Sequence, residues 1–600
     1  MKHKNQYENR RSSLAILAAV AAGVLFAVSP SFVVAQTYKY VDTPGVQPGS
    51  DTAYTGDGDY SALHIKGNGV ADGVVYEGTH LTLTGNSAAA NNEPKGRAVT
   101  VTDGGTLRLD NSHLGTSGTA SGLHGLYAAG SLSNVYLEES DIITNVADGS
   151  NGIYVGAGAT ITVVNTNVTA TVSGTGITVG RSRAVQAEGS GAFLDMSGGK
   201  VEIFVLNEAT HAHGVSLITN ATGTVKDLSI TTHGDVSYGV SLGSNAKAEV
   251  SGLDIVTNGA RAFGLSAETG SVLTATDVRV TTSGVDAHGV RVGSRNTNVS
   301  VTSVSVGGQD TRVNVTGAGA AALFMANNTT ASTEVKTDPY KLDVDGGAYT
   351  STQGAGLLLT RSVDVATGYA ATIDNARVEG RQSIHVNGDY LLGATINASN
   401  SHLVGDVTGS GLVQATIRLA NGSSLTGSVN SDNARDVAFD LDIDGSSWTS
   451  TGASVLEHLT LDGATLHLTL TTLSDAITVK NTPEIKTTTG GNTFVVDLGN
   501  DLLAQIASGA AGAGDGTAVL DVFDLITGGA TFLGDGKGLE YSLPGYNASG
   551  STYTVTPLEQ EGEYRIGDIA LAAVPEPSTC AALAGVVLLA YAIVRRRDRR

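Results

Sequence analysis

Gly214, Gly239, Gly264 and Gly289 recur 25 residues apart, each inside a closely related pentapeptide. The four copies are His213-Gly214-Val215-Ser216-Leu217, Tyr238-Gly239-Val240-Ser241-Leu242, Phe263-Gly264-Leu265-Ser266-Ala267 and His288-Gly289-Val290-Arg291-Val292. The register holds through the rest of the unit. Leu228, Leu253 and Val278 share a column, as do Ile230, Ile255 and Val280; Thr232, Thr257 and Thr282 form another, and Gly234, Gly259 and Gly284 a fourth. Looser copies place Gly73, Ala98, Gly125, Gly152 and Ala184 before the series and Ala322, Gly356 and Ser383 after it, at spacings of 25 to 34. A fixed period of this length is the mark of a stacked repeat architecture, in which one unit cannot bury its apolar face alone.

Within each unit apolar and polar residues alternate over four to six positions, which is strand periodicity, and Gly, Asn, Asp and Ser fill the intervals as turn formers. Residues 40–400 show no convincing helical spacing. The predicted fold is all-β: a right-handed parallel β-helix with one coil per repeat. At about 4.8 Å per coil, roughly a dozen coils between Gly73 and Ser383 make a rod about 55–60 Å long. A propeller needs blades of about 40–50 residues with aromatic signatures, and this chain has one Trp. The single Cys leaves no disulfide within the chain, and Cys580 reads as a buried thiol in an apolar segment.

The two ends read as addresses. Lys2, Lys4, Arg10 and Arg11 precede an uncharged apolar run from Leu14 to Val28, and Val33-Val34-Ala35 supplies small residues for cleavage between Ala35 and Gln36. This is a secretory signal, residues 1–35, cut by a signal peptidase. At the other end, Pro575-Glu576-Pro577 leads into an uncharged stretch through Val594. Arg595, Arg596, Arg597, Arg599 and Arg600 close the chain. The apolar stretch is long enough to cross a bilayer as a helix, with the arginines as cytoplasmic anchors. The prolines hold the tripeptide extended and accessible.

This order of Pro-Glu-Pro, short apolar helix and Arg tail over 574–600 resembles the PEP-CTERM sorting signal of Gram-negative bacteria. The resemblance implies an exosortase, a membrane transpeptidase that reads Pro575, Glu576 and Pro577, as a partner. It also implies a transient inner-membrane tether followed by display on the cell envelope or release. Between the ends lie the repeats of 36–400, a modified continuation over 401–500, and a terminal β region and linker over 501–573. In the continuation, Leu403, Leu425 and Trp448 fall 22 and 23 residues apart, one coil each, and Leu459-Thr460-Leu461-Asp462-Gly463 follows. Residues 390–470 are similar to the C-terminal part of pertactin-like autotransporter passengers. One departure stands out: Asn500 to Gly516 is Ala/Gly-rich and 517–574 is too short for a membrane barrel.

Charge narrows the function classes. Residues 1–35 take four Lys/Arg and one Glu, and 595–600 take five Arg and one Asp, leaving 26 basic against 55 acidic residues between them. Such a surface repels phosphate, so nucleic acid is excluded as a partner. Asp227 and Asp277 share a column with Gly252 between them, about 9.6 Å apart by strand spacing, near what an inverting glycosidase uses. Leu228 and Ile230 take the inward positions, so these carboxylates are expected at a solvated turn. His213, Tyr238, Phe263 and His288 are expected to stack as flat rings, while His211 and His213 would share a strand face without an evident third ligand. There is no Walker loop, nucleophile elbow or repeated calcium motif. The expectation is a non-enzymatic surface or matrix protein without cofactor, structural or adhesive, associated with exopolysaccharide or other surface proteins. The alternative is a carbohydrate-active β-helix enzyme, a lyase or glycosidase.

Overall fold

The computed structural model describes residues 38–572 apart from internal stretches, the longest being 328–339 and 499–518, with side chains described as far as Lys480. Among the described residues all regular structure is β and there is no helix. A coil consists of three strands, for example His213–Ile218, Thr222–Lys226 and Ser229–Thr232. The next coil repeats them as Val240–Leu242, Lys247–Ser251 and Asp254–Thr257. Every one of these strands pairs in parallel with its counterpart one coil on, so the 25-residue period becomes the pairing register: Val215 to Val240, Thr224 to Glu249, Ile230 to Ile255. The result is a parallel β-helix with three faces, here named A, B and C in chain order.

Alternate residues of each strand point inward and stack on their equivalents. Val215, Val240, Leu265 and Val290 do so on face A, and Ile230, Ile255 and Val280 on face C, all at most 1% exposed. One continuous core therefore runs the length of the rod. Burial of aliphatic columns supplies the driving force, at roughly 25 cal/mol per Å².

The corners follow from local chemistry. Between faces B and C, Asn165, Gly198, Asp227, Gly252 and Asp277 stand one above another with φ between 47° and 68°. Gly, Asn and Asp are the residues that enter this left-handed region at least cost. Just inside that corner, hydroxyls replace missing backbone partners. The N–H groups of Ala376, Ser401 and Ser423 each donate at 3.1 Å to the Oγ of the serine one coil on, namely Ser401, Ser423 and Ser446. At the entry to face A the repeated glycine is a matter of space: a Cβ on Gly239 would lie 2.4 Å from Ile255 Cγ2 and 2.7 Å from the Gly264 carbonyl oxygen.

The first coil closes the core with polar groups. Lys39, Gln47 and Tyr54 occupy the positions of Leu63, Tyr76 and Leu83 in the next coil. The Lys39 ammonium sits over the Tyr76 ring, 4.5 Å from its centroid. Pro48 lies in the outermost strand, Gly45–Ser50, where it removes a donor from the exposed edge.

Two expectations need correction. Gly73 is not in the repeat-glycine column: it precedes Val74–Thr79, a face-B strand paired with Gly105–Asp110. The residue one coil before Ala98 is Ala62, since Leu63 pairs with Val99. A longer connection between these coils hid the true register. Beyond residue 400 the coils continue, and Leu403, Leu425, Trp448 and Leu466 stack in one column as expected for the first three. Trp448 is fully buried and its Nε1–H donates to the Gly427 carbonyl at 2.9 Å. The solenoid pairing runs past the expected boundary at 500 but not to the end of the described residues. Parallel pairing ends at Glu540–Ser542, and Thr552–Thr554, Pro557–Gln560, Glu563–Ile566 and Ile569–Ala572 pair antiparallel.

Candidate functional site

The predicted processing residues, Ala35 and Gln36 at one end and Pro575, Glu576, Pro577 and the arginines from Arg595 to Arg600 at the other, lie outside the described residues. Among the described residues no helix is long and apolar enough to cross a membrane.

Asp227 and Asp277 stand two coils apart at the B–C corner with Gly252 between them, as the column predicts. Both are exposed, with φ of 52°. Asp277 Oδ1 accepts from the Asp310 N–H at 3.2 Å, pinning the longer turn of the next coil.

The ring column forms as expected. His213, Tyr238, Phe263 and His288 stack with centroids 4.5, 4.7 and 5.3 Å apart and interplanar angles of 20–28°. Phe324, from the neighbouring strand column, extends the stack, 3.9 Å from His288. Each histidine is also an acceptor. Nδ1 of His213 takes the Tyr238 N–H at 3.0 Å, and Nδ1 of His288 the Ala321 N–H at 2.8 Å. Burial drives the His288 pKa down to about 3, so both geometry and environment demand the neutral ring. The expectation that His211 shares a strand face with His213 fails: His211 has φ of 73° and precedes the strand.

Inspection of single columns missed a polar cluster on the outer side of face A. Arg97 lies over the Tyr127 ring at 3.8 Å, and Tyr127 stacks on Tyr154 at 5.1 Å with planes 3° apart. His124 packs beside both, its Nδ1 accepting from the Asn151 N–H at 3.1 Å, and burial holds its pKa well below the ordinary histidine value. The Asn151 amide donates to Gln186 at 3.0 Å, Gln186 Nε2 to Glu188 at 2.7 Å, and Tyr154 OH to the same Glu188 oxygen at 3.3 Å. Burial and the nearby Glu188 carboxylate raise the Tyr154 pKa. The arrangement joins a guanidinium, two phenols, two amides and a carboxylate across consecutive coils of face A. The signal in the sequence was the column Arg97, His124, Asn151, Arg183, His213, which follows from the glycine column one residue later.

The architecture is a parallel β-helix rod, and a matched motif adds its address. Residues 573–600 match the PEP-CTERM protein-sorting motif. The chain carries that motif, and with it export to the cell envelope or surface and processing by an exosortase. No curated protein matches the chain. Among solved structures, a chain of the cryo-EM structure of the Vag8–C1 inhibitor complex matches 77% of this chain and 100% of its own length. The identity is 16% and the TM-score 0.36.

Proposed function

We propose that the processed protein is a non-enzymatic surface or matrix component, structural or adhesive, associated with exopolysaccharide. The observation that supports it is the outer side of face B, a parallel sheet of many coils whose outward columns present carboxylates and hydroxyls, such as Asp195, Thr224, Glu249, Thr274 and Ser305. Such a surface offers repeated polar contacts along one line, which suits an extended polymer or a neighbouring surface protein. The reading needs no cofactor. Besides the exosortase it takes a signal peptidase as processing partner.

The face-A cluster favours a second reading, a carbohydrate-active enzyme, because Arg97, Tyr127, Tyr154 and Glu188 converge on adjacent coils. One experiment separates the two. Protein recovered from the envelope or medium after processing is incubated with a panel of polysaccharides, and both retention and chain cleavage are scored. Retention without cleavage is the expected result. Turnover of any polymer that is lost in Tyr154→Phe or Glu188→Gln overturns the non-enzymatic reading.

A further inference from the structure

Near the N-terminal end, face B carries a shallow groove of about 360 Å³ that runs along the rod. Its walls are two adjacent outward columns. One is Glu77, Arg108, Tyr136 and Thr162; the other is Thr79, Asp110, Glu138 and Val164. Leu109 and Leu137 form the floor. Tyr136 is 42% exposed, with the Arg108 guanidinium 5.5 Å from its centroid. Phe193 lies exposed on the same face two coils further along. Arg108 is engaged by Glu77 at 2.8 Å. Among the described residues Asp110 and Glu138 carry no ion pair. The excess of carboxylate continues along both columns. Between Glu77 and Asp374 their only cations are Arg108 and Lys226, and a second groove of about 500 Å³ is lined by Asp343, Asp345 and Asp374.

We propose that this groove binds a polysaccharide rich in unacylated amino sugars, laid along the rod axis with a sugar ring against Tyr136 and ammonium groups at Asp110 and Glu138. The inference rests on the exopolysaccharide reading and names the polymer class. An exposed phenol ring matches the C–H face of a sugar, and carboxylates accept from its hydroxyl and ammonium groups. A polyuronate would meet like charge here, which costs affinity rather than adding it. The coil spacing of about 4.8 Å is close to the advance per residue of an extended hexose chain, so successive sugars lie over successive coils. The four rungs of the groove span about 14 Å.

The test measures binding of the processed protein to polyglucosamine, a neutral β-glucan and alginate, at low and high salt. The expected result is preference for polyglucosamine, with affinity falling as salt screens the carboxylates. Tyr136→Ala should weaken binding by about tenfold or more, and Asp110→Asn with Glu138→Gln should remove the salt dependence. Unchanged melting temperatures show that these exposed substitutions leave the fold intact. Preference for alginate or the neutral glucan, or unchanged binding by both variants, overturns this groove while leaving the exopolysaccharide reading in place. Failure of the unmodified protein to bind any polymer overturns both.

Discussion

At the entry to face A, histidine serves as a backbone acceptor. His124, His213 and His288 each stand one residue before the inward turn into face A, and each offers Nδ1 to an N–H of the next coil. Protonation would put a donor against a donor and a charge in a dry stack. The folded-state pKa of His288, about 3, lies below its unfolded value. Its contribution to stability is therefore complete above pH about 6.5 and declines as pH falls toward 3, by about 1.4 kcal/mol per pH unit in that window. The melting temperature should drop between pH 6.5 and 4. His288→Phe should be less stable at pH 7, because the Ala321 N–H loses its acceptor at about 1–3 kcal/mol, yet should show a shallower decline with acid. An equal slope in both proteins would count against this assignment. The ring column was legible in the sequence because its members keep the 25-residue spacing. Phe324 was not, because it belongs to a different column and enters the stack only where Ala321 leaves room.

Strands in this fold are held by their counterparts one coil away, so each inward position depends on two neighbours distant in sequence. Leu253 illustrates this. It is 1% exposed, between Leu228 and Val278, and its carbonyl accepts from the Arg279 N–H at 2.7 Å. Leu253→Asp should destabilise the rod by about 3–5 kcal/mol, since an unpaired carboxylate would enter an apolar column. Chemical denaturation checks it, and an unchanged midpoint would refute the register. The hydroxyl ladders at the corners escaped the sequence reading. Ser112 and Ser140 are 28 residues apart, and Ser401 and Ser423 are 22 apart. Their register is set by the paired strands and not by a constant period.

For the molecule as a whole, the rod and its address make one expectation about maturation. Tags placed near residue 45 and after Arg600 should part company: the envelope or medium should yield the first tag on a chain lacking the second, and shortened at its N-terminus. Recovery of both tags on one full-length polypeptide would sink processing at both ends. The N-terminal cap fits this route. Lys39, Gln47 and Tyr54 close the core, and Pro48 on the outermost strand removes a donor that another rod could pair with.

What the amino-acid sequence determined alone was whatever repeats or stands at an end. The 25-residue period dictated parallel coils, because only in-register stacking buries Val215, Val240 and Leu265 together. The sorting motif is a linear peptide read by another protein and needs no fold to be recognised. Tertiary structure decided the rest. Insertions of unequal length shift the register between residues 62 and 98, so Ala62 and not Gly73 heads its column. Outward side chains carry no period, since water imposes none on them. Thus Arg97 and Tyr127 meet on face A, and Glu77 and Tyr136 line one groove on face B, only because winding the chain brings residues tens of positions apart to within one or two coils of each other.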